Sequence, residues 1–430
     1  MKTGYINLNI ETEELARRLA ADGITLLALV RAIDSPERLI ASDPRYDWLA
    51  KHIEQMDDYD RHEAVLFGFD NITGGLFIDA VHNSHRGQAL GGCREDFYPT
   101  VETAVRDVLR LSRGMTRKNA ISAIWYGGGK GILCRIADRD YADKLLRRAV
   151  YQSWGRFVAA QDGYYVTAED MNNTVEDTGQ MLAANRYTAC VPRKKGGSGN
   201  PSPFTASSVH YAMLAAAQQI LQRETLAGLI VNVQGAGNVG LHLIKLLIDD
   251  GAKVRAGDVN PKAIERLQKE FPSVEILTPS QIISAEGDIF APCAKGAILN
   301  PETIPLLKIK IVCGAANNML ARKDRDGQAL LERGIVDCVD YNCNRGGVIN
   351  AAQEIDGYLA ERVEEKVMQA YEDTQSILYQ ALIKKVPPHV IADEIADERA
   401  MKIHPTKGYI GPEYIKRYLA LQQKLAQRAA

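Results

Sequence analysis

Apolar and polar positions divide the chain into four stretches. Residues 1 to about 47 read as polar and helix-like, broken near Ser35-Pro36 and Asp43-Pro44. Leu15, Leu19, Leu26, Leu27, Leu29, Val30 and Ile33 supply the apolar faces of two short amphipathic helices there. Isolated helices of that length are marginal in water, so they are expected to pack on the rest of the chain or on a neighbouring subunit. From about Glu63 the period changes. Val65, Phe67 and Phe69 alternate, residues 71–75 turn, and Leu76, Ile78 and Ala80 alternate again, the pattern of a β-hairpin. Val101, Ala104, Val105, Val108, Ser112 and Met115 follow at helical spacing, with Thr100 as N-cap. Residues 121–125 then read as a short strand running into Gly127-Gly128-Gly129-Lys130.

Residues 194–203, KKGGSGNPSP, are dense in turn formers and mark a linker. Beyond a helix at 204–221, strand-like runs at 229–234, 254–259, 288–291 and 309–313 alternate with helical or loop segments. Such alternation predicts a parallel, doubly wound α/β domain. The tail from Ala351 is mostly helical, interrupted by Pro387-Pro388.

Composition narrows the class. A chain of 430 residues with 46% hydrophobic and 25% charged residues is an ordinary globular protein of two or three domains. A net charge of −2 points to neither nucleic acid nor an anionic membrane as partner. No window approaches the roughly 18 consecutive apolar residues of a membrane span. The seven cysteines contain no C-x-x-C pair and read as reduced residues of a cytoplasmic protein. Cys338 and Cys343 are taken as strand-end residues and not as a disulfide. His82 and His85 lack a third ligand, so no metal is expected.

Gly235-Ala236-Gly237-Asn238-Val239-Gly240 completes a G-x-G-x-x-G between the strand LIVNVQ and a helix at 238–249. In that context the first glycine makes the turn and the second admits a pyrophosphate against the backbone. The third lets helix and strand pack closely. Asp258 ends the next strand, roughly 20 residues on, where a carboxylate binds ribose hydroxyls and repels a 2′-phosphate. NAD is therefore favoured over NADP. Elsewhere Lys118 and Lys130 stand near each other in sequence, and the three glycines before Lys130 would let a ligand lie against backbone. Two ammonium groups in one pocket would favour the neutral amine of one, a usable general base. The alternative is two surface lysines beside a flexible loop.

At these residues the chain resembles the leucine/phenylalanine/valine dehydrogenase family, within the wider glutamate dehydrogenase group. The resemblance rests on residues 89–94 (ALGGCR), 114–120 (GMTRKNA), 127–130 (GGGK), 167–170 (TAED), 198–203 (SGNPSP) and 288–294 (DIFAPCA), in family order from about Trp48 onward. It implies an α/β enzyme of two domains, a mixed-sheet substrate domain and a Rossmann-like NAD domain, with a cleft between them. Residues 48–189 plus 387–430 would form the first domain, residues 190–386 the second, and residues 1–47 a helical extension. Lys118 would bind the substrate α-carboxylate, with Gly91 and Met115 beside it. Lys130 would activate water, Asp170 would handle the proton on the substrate nitrogen, and Asn318 or Asn317 would position the amino acid. Asn344 would join the fingerprint residues and Asp258 in holding NAD. The residue-level alternative for Asp170 is an N-cap of the helix beginning near Thr174.

The reaction so implied is reversible oxidative deamination of an L-amino acid to a 2-oxo acid and ammonia, by a homo-oligomer between dimer and octamer. Glutamate is disfavoured. Leu90 and Ala351 occupy the positions where glutamate enzymes carry a lysine and a hydroxyl residue, and a buried unpaired carboxylate is costly. Leu90, Ala168, Val348 and Ala351 would line an apolar pocket. Arg345 and the N-terminal extension leave room for an unusual amino acid, whereas the intact Lys118, Lys130 and Asp170 speak against a non-catalytic relative; two departures from the family pattern bear on the substrate end. Arg345 replaces the usual alanine, either reshaping the substrate end or lying solvated at the rim, and Trp125-Tyr126 precedes the glycine run.

Overall fold

The computed structural model describes residues 7–294, 296–355, 357–417 and 419–420. The chain divides into two compact units. The first comprises the described residues up to Gly199, with Glu354–Tyr358 and those from Glu398 on; the second holds Asn200–Gln353 and Leu359–Asp397. The second unit thus starts inside the SGNPSP stretch and not at 190, and it keeps the chain as far as Asp397 where 386 was expected. The glycine-proline composition marks flexible backbone without saying on which side of it each residue packs.

The first unit is built on β1 (Leu27–Arg31), β2 (Leu39–Ala41), β3 (Ala64–Phe69), β4 (Leu76–Asn83), β5 (Ala89–Asp96), β6 (Gly127–Cys134) and β7 (Tyr165–Ala168). They form one mixed sheet in the order β2-β1-β3-β4-β6-β5-β7, with β5 parallel to both β6 and β7. One face packs on α1 (Thr12–Ala21), α2 (Asp47–Glu54) and α3 (Val101–Ile121), through Leu15, Leu49, Ile53, Val101 and Val105. The other packs on α4 (Lys144–Ala159) through Tyr151, Trp154 and Phe157. The β3–β4 hairpin and the Thr100 cap, whose side chain accepts from Thr103 N, match the sequence pattern.

Two expectations fail here. Residues 27–31 are a strand and not part of a helix, so the described residues 7–47 are no helical extension; residues 1–6 of that expectation lie outside the described residues. Leu27 and Leu29 enter the core on one face of the sheet while Ala28 and Val30 enter the other. A strand covered on both sides is apolar at every position, which erases its alternation and leaves it looking helical. Likewise residues 121–125 are not a strand. Ile121 ends α3, and β6 starts on the glycines themselves.

The second unit holds β8 (Ile230–Gln234), β9 (Lys253–Gly257), β10 (Glu275–Ile276), β11 (Ile289–Pro292), β12 (Ile311–Val312) and β13 (Val336–Asp337). All pair in parallel, in the order β10-β9-β8-β11-β12-β13. That order is the doubly wound dinucleotide-binding arrangement, which reverses direction beside its first strand. The helices are α6 (Ser202–Ala216), α7 (Asn238–Asp249), α8 (Pro261–Glu270), α9 (Gln281–Ser284), α10 (Lys323–Glu332), α11 (Asp340–Cys343), α12 (Gly346–Gln353), α13 (Ala360–Lys384) and α14 (Pro388–Ala400), the last of these up to Asp397; α5 (Val175–Met181) lies in the first unit. Among the described residues no helix is long and apolar enough to cross a membrane.

Candidate active site

In the first unit the motifs converge on the edge where β5, β6 and β7 run parallel. Gly128 faces α3 so closely that a Cβ there would collide with the backbone and hydroxyl of Thr116, and one at Gly91 would meet Gly129 O and Met115. The glycine run is therefore a buried strand filled by protein, not a loop open to ligand. Asn119 of α3 fastens the arrangement, its Nδ2 donating to Leu90 O (3.0 Å) and Gly127 O (2.6 Å). Tyr165 of β7 donates its hydroxyl to Gly91 O at 2.7 Å. These ties set the positions of Met115 and Lys118, both half-buried on α3.

Lys130 projects from β6 with only 5% of its side chain exposed, and its Nζ lies 2.9 Å from Asp170 Oδ2. The neighbour of Lys130 is thus a carboxylate. Arg94 Nε approaches the same oxygen at 3.5 Å, while Arg94 Nη1 reaches Asp107 at 2.9 Å. Burial alone would raise the Asp170 pKa, but Lys130 and then Arg94 outweigh it and hold the carboxyl below its ordinary value. Its neighbour Glu169 goes the other way. Burial, reinforced by the Asp170 charge, pushes it to about 7. Asp170 is no helix cap: Thr174 caps α5 itself, in a reciprocal pair with Asp177. Leu90 and Ala168 are buried apolar residues on the same strands. Arg94, Asn119, Tyr165 and Glu169 escaped the sequence reading, although Arg94, Asn119 and Glu169 stand inside its motifs.

In the second unit the glycine turn closes β8 onto α7. Gly235 has a φ of +103°, Gly237 would carry a Cβ into open space, and a Cβ at Gly240 would strike Gly235 O. Asp258 aims its carboxylate at this turn, accepting from Ala236 N (2.7 Å) through one oxygen and from Asn260 N (2.8 Å) through the other. Each oxygen keeps a second lone pair. Turn, helix N-terminus and carboxylate fit the pyrophosphate and ribose of a dinucleotide. Asn344 donates to Ala315 O (3.0 Å) and Asn317 Oδ1 (2.7 Å), and its buried Oδ1 has no partner among the described residues. Asn317 and Asn318 are exposed, Val348 is half-buried and Ala351 is buried.

The departures lie elsewhere than expected. Arg345 is not a solvated residue at a rim. It is 1% exposed and forms a 2.6 Å ion pair with Asp373 of α13, with a further bond to Asn342 Oδ1. Trp125 lies under the Arg86 guanidinium, 4.3 Å from its ring centre, beside His404. His82 meets Thr116 through Nδ1 and Asp60 through Nε2, and His85 stacks on Tyr409. All seven cysteines are free thiols, and Cys343 closes α11 and not a strand.

Residues 75–187 match the model of the Glu/Leu/Phe/Val dehydrogenase dimerisation domain, and residues 196–262 and 258–392 match Glutamate/Leucine/Phenylalanine/Valine dehydrogenase. The chain is 40% identical over 344 residues to leucine dehydrogenase of Geobacillus stearothermophilus, covering 80% of this chain and 92% of that one. It is 38% identical to valine dehydrogenase of Streptomyces virginiae, covering 80% and 94%. Among solved structures, L-tryptophan dehydrogenase from Nostoc punctiforme superposes with a TM-score of 0.67 at 34% identity, covering 79% of this chain and 96% of that one.

Proposed function

The chain belongs to the Glu/Leu/Phe/Val dehydrogenase family, and on that premise we propose that it is an NAD-dependent L-amino acid dehydrogenase deaminating an apolar or aromatic amino acid. The observation that carries this reading is the Lys130–Asp170 pair at 2.9 Å, beside the apolar Leu90 and Ala168. NAD supplies the acceptor for the hydride of the substrate α-carbon. Lys118 pairs with the α-carboxylate, and Asp170, kept ionised by Lys130 and Arg94, takes the proton of the substrate nitrogen. Lys130 polarises the water that adds to the imine carbon. The water oxygen becomes the 2-oxo oxygen, and the nitrogen leaves as ammonia. A fixed ammonium and carboxylate meet the charges that develop without reorganising.

Gly235, Gly237, Asn238, Val239, Gly240 and Asp258 hold the dinucleotide, and Asn344 offers its unpaired Oδ1 to the nicotinamide end. Asp258 selects NAD because its carboxylate repels a 2′-phosphate. With Arg345 committed to Asp373, the case for an unusual substrate loses one of its grounds. The reading includes a homo-oligomer joined through the first unit, working in the reducing cytoplasm where seven free thiols persist. The test is NADH formation with each proteinogenic L-amino acid, run in parallel with NADP. Activity on one or a few apolar or aromatic substrates with NAD is expected. No turnover with any of them, or equal rates with NADP, would overturn the assignment.

A further inference from the structure

Cys313, Cys338 and Cys343 are remote from Lys130 in sequence and have no part in the reaction above. Cys313 follows β12, Cys338 follows β13 and Cys343 ends α11, so three separate elements each bring one thiol to the same point. Their exposures are 0%, 1% and 0%, and the three sulfur atoms lie within 4.8 Å of one another. Cys313 Sγ and Cys343 Sγ are 3.8 Å apart. Ligands at about 2.3 Å from a tetrahedral zinc stand roughly 3.8 Å from each other, so the Cys313–Cys343 pair already has that spacing and the third sulfur lies within 4.8 Å of both. Backbone bonds hold each cysteine in place: Cys313 N to Phe290 O (3.0 Å), Cys338 N to Val312 O (2.8 Å) and Cys343 N to Val339 O (2.9 Å).

We propose that Cys313, Cys338 and Cys343 form a buried three-sulfur site for a thiophilic ion, zinc(II) or copper(I). Soft thiolates select such ions over hard ones. Three thiols release three protons on ligation and the ion takes their place. Copper(I) is satisfied by the three sulfurs; zinc(II) adds one water or hydroxide. The site lies below two loops that matter. Cys313 directly precedes residues 314–318, which carry Asn317 and Asn318, and Cys343 directly precedes Asn344, itself bonded to Ala315 O and Asn317 Oδ1. A bound ion staples both loops to the sheet. β13 is a two-residue edge strand, the element whose local opening admits the ion.

The test loads the full-length protein with zinc(II) alone and, separately, under reducing anaerobic conditions, with copper(I) alone, then removes unbound metal. One ion per chain is expected with one or both metals. X-ray absorption of the loaded wild type should show three sulfur neighbours, at about 2.3 Å for zinc. Cys338→Ser and Cys343→Ser should lower affinity at least roughly tenfold, as loss of a primary ligand costs no less than the 10–100-fold of a supporting partner. Cys134→Ser, outside the cluster, should leave it unchanged. Retention of neither ion, a shell of nitrogen and oxygen, or equal binding by the cluster variants would overturn the proposal. The absorption measurement needs only the wild type, so it decides the matter even where a serine variant does not fold.

Discussion

Two glycine-rich segments, 127–131 and 235–240, look alike in sequence and do opposite things. The first is a strand with protein pressed against it: Thr116 at Gly128, Tyr165 at Gly129 and Trp154 at Gly131. The second is a turn in which Gly240 meets backbone while Gly237 faces open space. In the first, missing side chains let α3 approach β6, so that Lys130 and Asp170 stand at a fixed separation. In the second, a missing side chain leaves room for a ligand. Glycine marks a close approach in both, and only the neighbours show whether protein or ligand approaches.

The comparison is broken most severely at the residue the first segment positions. Lys130→Ala is expected to lower kcat by about 10²–10⁴, the usual cost of a positioned proton-transfer group, with NADH affinity nearly intact. Steady-state kinetics and NADH titration decide it, and turnover within threefold of wild type would remove Lys130 from the mechanism.

Matched alanines separate the two kinds of glycine. Gly128→Ala must displace α3 against a close-packed strand, and a loss of about 1–3 kcal/mol or more in unfolding free energy is expected. Gly237→Ala, with a φ of −72° and no neighbour within 4 Å, should change stability by less than about 0.5 kcal/mol. Its NADH dissociation constant should instead rise roughly tenfold, equivalent to about 1.4 kcal/mol. Denaturant melts and nucleotide titrations of the pair test this, and a stability loss at Gly237 equal to that at Gly128 would erase the distinction.

Asp258→Ser sharpens the second half by erasing the carboxylate while leaving the glycines. NADP use should rise relative to NAD, and an unchanged ratio of kcat/KM values would take Asp258 out of cofactor selection. The smallest effect is expected from acid. The folded pKa of Asp170 lies below its unfolded value, so its contribution to stability is complete above the unfolded pKa and is lost as pH falls through the folded one. As pH falls from the ordinary carboxylate range through the lowered folded pKa, the wild type should therefore lose more stability than Asp170→Asn, as parallel melts in acid would reveal.

Local signals were legible in the sequence because they are local causes. The β3–β4 alternation, the Thr100 cap, the glycine fingerprint between β8 and α7, and Asp258 at the next strand end each depend on a few adjacent residues. Lys130 and Asp170 were legible too, through the motifs around them. What brings them together was not, since the β5–β6–β7 register and the Asn119 bonds join segments far apart in the chain.

Tertiary structure alone decided the rest. The run at residues 27–31 became β1 because β2 and β3 flank it and the sheet is covered on both faces, which removes the alternation by which a strand is recognised. Arg345 is a buried ion pair because α13 carries Asp373 to it. Three cysteines with no ligand spacing share one point because β12, β13 and α11 end there. Periodicity and capping are written in consecutive residues. Burial and charge pairing belong to partners that only the folded chain brings within reach.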